Sequence, residues 1–191
     1  MKKLLIIAGP SAVGKTTVAK YILDRGAGFE LSRSATTRPP RGDGHDQEYI
    51  YLSKNEFEER INSGEMLEYT EYGNNMYGTP VAEIKRILEE GKTPLLILDI
   101  NGVKSLKMAS HGFSSFAVYV TADLETLDKR LYERAEKDGF SLKAMETMEK
   151  RRAQNRADLL TVSRLPGLFD MTVQNDSVSE CAERILFHFF A

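Results

Sequence analysis

The sequence contains one cysteine, Cys181, so no disulfide can close within the chain, and a reducing compartment is the expected setting. Its helical spacing with Ile185 and Phe189 marks Cys181 as a core residue rather than a reactive one. No apolar run reaches the length of a membrane span. The start Met1-Lys2-Lys3 faintly resembles a secretory signal, but its apolar run is short and leads straight into a glycine-rich loop. Formal net charge is only -2, which excludes a global basic field toward nucleic acid or anionic membrane, so any anion site must be local. The three histidines, His45, His111 and His188, fall in loop or terminal-helix settings, and none reads as catalytic. Repeats and low-complexity tracts are absent too. What is present is an ordinary soluble composition, 41% hydrophobic and 28% charged over 191 residues, enough for one compact domain with a sizeable core. The expected location is cytoplasmic, without nucleic-acid or membrane partners; a homo-oligomer stays open.

Lys3 to Ala8 is a continuous apolar run ending at glycine, as a central parallel strand should be. Lys15 to Asp24 follows with helical spacing, Val18, Tyr21 and Ile22 sharing a face. Thr93–Asp99, Phe113–Val120 and Phe169–Val173 read as further strands, with helical patterns between them. That alternation predicts an α/β fold with a parallel sheet and right-handed crossovers. Ser32 to Glu90 differs in character. Its opening SRSATTRPPRGDGHDQEY precludes a long helix, and a strand-like YIYLS, a helix-like KNEFEERINSG and an aromatic MLEYTEYGNNMYGTP follow. It reads as a small inserted α/β unit. Asp123 to about Asp158, rich in charge and helix formers, reads as a long surface helical hairpin.

Residues 9 to 16, G-P-S-A-V-G-K-T, satisfy GxxxxGK[ST] between that first strand and that first helix. Glycines let successive N–H groups turn toward phosphate oxygens, and the helix adds its positive N-terminal end. Gly9, Pro10, Ser11, Ala12, Val13, Gly14, Lys15, Thr16 and Thr17 are therefore the candidate triphosphate-binding residues, with Lys15 on the β/γ-phosphates and the Thr16 hydroxyl on Mg²⁺. The loop points to a nucleoside triphosphate but not to any one reaction.

A second anion site is written in S-A-T-T-R-P-P-R, where Arg38 and Arg41 offer planar forks for phosphate on a proline-stiffened loop, with Tyr49 further on. The stretch E-Y-T-E-Y-G-N-N-M-Y-G-T-P adds the Glu68 carboxylate, the Tyr77 phenol and the Thr79 hydroxyl. A carboxylate accepts hydrogen bonds from adjacent ring N–H and amino donors, which guanine has and adenine lacks. Readout of that kind discriminates by ~10⁴ or more, because the wrong base leaves buried polar groups unpaired.

Taken together, these motifs resemble the guanylate kinase family. The resemblance runs from about residue 4 to the C-terminus and is strongest over 9–17, 34–53 and 64–80. It implies transfer of the γ-phosphate of ATP to GMP with Mg²⁺, on a P-loop core (1–31, 91–122 and 159–191) carrying a GMP-binding insertion (32–90) and a mobile helical lid (123–158). By that resemblance Arg38, Arg41, Tyr49 and Tyr77 hold the GMP phosphate. Ser34, Glu68 and Thr79 surround the guanine, with Asp43 and Gly78 in the same segments. Asp99 lies near the acceptor and the metal. Arg130, Arg134 and Arg151 resemble lid arginines that close over the transferring phosphate, and Asn175 sits where the family meets adenine. By spacing alone, Arg130 and Arg134 read as one solvated helix face.

The sequence also departs from the family pattern. Asp43 stands where glutamate is usual, the Arg41–Tyr49 loop is one residue shorter, Ile97 replaces the first of two strand-end aspartates, and the glycine-arginine-glycine of the lid is absent. The phosphate machinery is intact. Two other readings stay open at this point: a kinase of the same fold for another nucleotide or a sugar phosphate, and a non-catalytic binding module.

Overall fold

The computed structural model describes residues 3–26, 28–40, 42, 44, 46–72, 74–109 and 112–191. Its centre is β1 (Lys3–Ala8), buried on both faces between β7 (Thr93–Ile97) and β8 (Ser114–Thr121), with β2 (Phe29–Leu31) and β9 (Met171–Gln174) outermost. The order is β2-β7-β1-β8-β9 and all pairings are parallel, with Leu5 opposite both Leu95 and Phe116. Alternation along β1 sends Leu5 and Ile7 to one face, where they meet Val18, Ala19 and Ile22 of α1 (Lys15–Asp24) and Cys181, Ala182 and Ile185 of α7 (Val178–Phe190). Leu4, Ile6 and Ala8 face the other way, toward Ile84 of α3 (Val81–Glu89) and Val103 and Leu106 of α4 (Ile100–Met108). Each fully buried aliphatic side chain contributes roughly 1.5–3 kcal/mol, so these two layers supply most of the driving force.

The expected strands are present with shifted ends. The strand expected over Thr93–Asp99 stops at Ile97, because Asp99 caps α4: its Oδ1 accepts from Gly102 N–H at 2.7 Å. The strands expected from Phe113 and Phe169 begin at Ser114 and Met171.

A second sheet, ordered β4-β3-β6-β5, is built from β3 (Ser34–Thr36), β4 (Tyr49–Tyr51), β5 (Met66–Tyr72) and β6 (Asn75–Pro80). β5 and β6 form an antiparallel hairpin in which Glu68 pairs with Thr79. Helix α2 (Lys54–Asn62) starts with a reciprocal capping box between Ser53 and Glu56 and buries Phe57. Helix α3, although within the segment 32–90, packs on the central sheet through Ile84 and Ile87.

The helical hairpin consists of α5 (Leu124–Lys137) and α6 (Leu142–Ser163), capped by Asp123 and Ser141, and its second arm runs five residues past Asp158. Leu131, Ala135 and Met148 form a small cluster of their own, with Ala12 packed against it.

Gly9 links the core to the phosphate loop and admits no side chain. Its φ is +153°, and a Cβ there would lie 2.1 Å from the Val120 carbonyl oxygen. Gly9→Ala is expected to destabilise the fold by roughly 3–5 kcal/mol, combining backbone strain with overpacking. Urea unfolding checks this as a lower midpoint at unchanged slope.

Candidate active site

The loop between β1 and α1 bends through left-handed backbone at Ala12 (φ 66°) and Gly14 (φ 98°). Three side chains from far along the chain hold it from outside. Asn155 accepts from Ser11 N–H at 2.7 Å and donates to Ser11 O at 3.1 Å. Arg130 donates to Val13 O at 3.1 Å and Asn175 donates to the same carbonyl at 2.7 Å. Gly14 makes room for this arrangement, since a Cβ there would stand 2.7 Å from the Asn175 amide nitrogen. Lys15 Nζ donates to Gly9 O and Pro10 O, both at 2.9 Å. Burial pushes its ammonium down to about 8, partly offset by the carboxylates of Asp158 and Asp99. Thr16 and Thr17 are exposed in the first turn of α1.

Gly9, Ser11 and Lys15 form one wall of a cavity of about 430 Å³. Ser34, Tyr49, Glu68, Tyr77 and Gly78 from the second sheet line another, Asp99 and Gly102 a third, and Arg151, Asn155 and Asp158 of α6 close over it. The size suits a small polar ligand.

Glu68 is the most unusual group there. It is 4% exposed, and Thr79 Oγ1, itself buried, donates to its Oε1 at 2.8 Å. Burial raises the carboxyl to about 7; the Thr79 hydrogen bond opposes the rise and the nearby Asp99 carboxylate adds to it. The surrounding backbone packs closely. A Cβ on Gly102 would lie 2.9 Å from Glu68 Oε2, and one on Gly78 would lie 2.7 Å from Glu68 O. Gly78 thus lets its strand lie close against the Glu68 backbone, and Gly102 lets α4 approach the carboxylate.

Of the residues expected at the phosphate of the acceptor, Tyr49 and Tyr77 line the cavity. The Arg38 guanidinium stacks over the Tyr49 ring, 5.1 Å from its centroid, and donates to Pro39 O. Arg41 and Asp43 lie outside the described residues. The lid arginines are not all together. Arg151 lines the cavity and also, with Arg134, a neighbouring cleft of about 360 Å³ between α5 and α6, whereas Arg130 is engaged with the carbonyls of the loop. Asn175 is buried behind the loop, 2% exposed, with its Oδ1 unpartnered among the described residues.

Asn155 and Asp158 were not anticipated from the sequence. With Arg151 they fall at i, i+4 and i+7, one face of α6, a signal hidden because a polar stripe on a Lys/Arg-rich helix reads as solvated. No cluster of three acidic, histidine or cysteine side chains that could hold a metal is found among the described residues.

The whole chain has close counterparts. The guanylate kinase family profile matches residues 1–188. The guanylate kinase of Lactobacillus johnsonii is 37% identical over 185 residues, 95% of this chain and 85% of that protein. That of Gloeobacter violaceus is 35% identical over 192 residues, covering 98% and 88%. In three dimensions the chain is similar to the crystal structure of guanylate kinase from Anaplasma phagocytophilum, with a TM-score of 0.70 at 21% identity, over 98% of this chain and 84% of that one. With the phosphate loop and the buried carboxylate opening onto one cavity, the profile match over nearly its full length makes the chain a member of the guanylate kinase family.

Proposed function

We propose that phosphoryl transfer from ATP to GMP, giving ADP and GDP, takes place inside the 430 Å³ cavity. The activity itself follows from family membership. One observation carries its placement: Lys15 of the phosphate loop and Glu68, hydrogen-bonded by Thr79, line the same cavity.

The triphosphate of ATP lies along Gly9–Thr17, where loop N–H groups and the N-terminus of α1 favour anions. Asn175, behind the loop, holds its shape from the adenine side. Guanine reaches Glu68, whose ionised carboxylate accepts from the ring N–H and the amino group, beside Ser34, Gly78 and Thr79. Arg38, Arg41, Tyr49 and Tyr77 take the GMP phosphate, Asp43 belongs to the same sequence segment, and Asp99 lines the cavity. The acceptor oxygen is already anionic, so no general base is needed, and positioning with charge stabilisation does the work. Lys15 and Arg151 spread the developing charge as the γ-phosphoryl passes in line; Arg134 and Arg130 join them when α5 and α6 close and exclude water. Among the described residues the Thr16 hydroxyl and the carboxylates of Asp99 and Asp158 make a sparse oxygen donor set, which fits Mg²⁺ held mainly by substrate phosphates rather than by a protein cage. When bound, Mg²⁺ neutralises charge on the β- and γ-oxygens.

We place the protein in the cytoplasm, where both nucleotides are found. Its thiol is buried, and no helix among the described residues is long and apolar enough to cross a membrane. In the working division, core 1–31, 91–122 and 159–191 carries the GMP-binding part 32–90 and the lid 123–158.

A coupled assay with ATP across GMP, dGMP, AMP, UMP, CMP and ribose bisphosphate tests the assignment. Guanine nucleotides are the expected acceptors, and chelation of Mg²⁺ is expected to abolish turnover. Equal rates with a pyrimidine monophosphate or a sugar phosphate would contradict the role given to Glu68.

A further inference from the structure

Helix α6 touches the phosphate loop through an unusual residue. Only two of its side chains are buried, Met148 and Asn155. Met148 packs with Leu131 and Ala135 of α5, and Ala12 of the loop lies against that apolar cluster. Asn155, 1% exposed, is the one that hydrogen-bonds the loop, and both ends of its amide are used on one residue: Oδ1 on Ser11 N–H and Nδ2 on Ser11 O. Burying an amide without partners costs several kcal/mol, whereas an apolar residue would seal the contact without fixing its register. A two-point hydrogen bond does fix it, because a shift of α6 by about 1.5 Å, one residue of rise, breaks both bonds.

The register matters because Arg151, one turn earlier, and Asp158, one turn later, share the face of Asn155 and line the cavity with Ser11 and Lys15. We infer that Asn155 is a positioning residue for phosphoryl transfer: it pins α6 to the phosphate loop so that the Arg151 guanidinium is pre-placed over the site where the γ-phosphoryl group moves. Arg134 differs in this respect. It lines the neighbouring cleft, which Arg151 also lines, and not the cavity itself. The inference rests on the part given to Arg151 above.

A double-mutant cycle reads this directly. Asn155→Ala is expected to lower kcat about 10- to 100-fold, as misplacement of a charge-stabilising group by about 1 Å does, with KM for ATP and GMP within about threefold of the wild type. In an Arg151→Ala background the same substitution is expected to change kcat less than about twofold, since nothing is left to position. Asn155→Gln, which keeps the amide but moves it by one methylene, is expected to behave the same way in the cycle and serves if the alanine variant does not fold. Hydrogen exchange at the Ser11 amide, slow in the wild type and fast in Asn155→Ala, confirms that the intended bond was removed. Losses that multiply across the cycle, or a loss expressed only in KM, would overturn the role of Asn155 while leaving that of Arg151 standing. Full kcat in Arg151→Ala would overturn both.

Discussion

Lys15→Met is expected to lower kcat about 10²–10³-fold and, at the same time, to make the unliganded protein more stable. The two effects have one cause. The ammonium lies inside the loop on the carbonyls of Gly9 and Pro10, and burial holds it at about 8 rather than 10.5. Unliganded, that charge is poorly compensated; with a triphosphate in the loop it is matched by the β- and γ-oxygens. Methionine keeps the length of the side chain and removes the charge. For the lysine, the unfolded chain binds the proton more tightly than the folded one between pH 8 and 10.5, so its contribution to stability rises with pH across that window. Urea unfolding at pH 7.5 and pH 10 checks the sign: the methionine variant has the higher midpoint at pH 7.5, and the gap narrows at pH 10. A methionine variant with near-wild-type kcat would remove Lys15 from the transfer step.

Such a trade between stability and activity leaves few traces in the sequence, and that explains what was legible there. The β1–loop–α1 unit was readable because a continuous apolar strand, a glycine-bearing turn and an amphipathic helix are each local signals that agree. β2 and β3 were not, because each is three residues long and exists through its neighbours, β7 for one and β4 and β6 for the other. The candidacy of Glu68 was readable from its residue type and from the YGT that follows. Its burial was not, since the segments that pack against it, those of Gly78 and Gly102 among them, lie on separate elements. Asn155 was invisible for a related reason: its partner is the backbone of Ser11, 144 residues away, and backbone carries no sequence. Arg130 shows the opposite limit. A motif led it toward the transferring phosphate, whereas in the unliganded structure it supports loop carbonyls.

Glu68→Gln carries the second large effect. In the proposed complex two charge-assisted acceptors of Glu68 face the guanine donors; the amide of the variant keeps one neutral acceptor and presents a donor in place of the other. Loss of one such bond, loss of charge assistance in the other and a donor set against a donor amount together to roughly 3–6 kcal/mol, or about 10²–10⁴ in kcat/KM for GMP. Stability is expected to move the other way. Burial raises the carboxyl to about 7 against 4.5, so the folded chain holds the proton more tightly, and the contribution of Glu68 to stability falls as pH rises from 4.5 to 7. Glutamine lacks that slope, so the variant melts higher than the wild type at pH 7.5 in the absence of nucleotide. The same protonation bears on binding. Below about pH 7 the protonated carboxyl no longer accepts both guanine donors, and KM for GMP rises. The ionisation of the GMP phosphate adds its own dependence to both proteins, so the part of the profile lost in Glu68→Gln is the part due to this residue.

The most direct measurement is the ratio of kcat/KM for GMP to that for AMP, taken with ATP and Mg²⁺ at pH 7.5 in the wild type and in Glu68→Gln. If the buried carboxylate reads the base inside this cavity, GMP is preferred by about 10⁴ or more in the wild type, and the ratio falls by about 10²–10⁴ in the variant. A ratio unchanged by the substitution, in a variant that folds and turns over, would contradict the placement of GMP in this cavity.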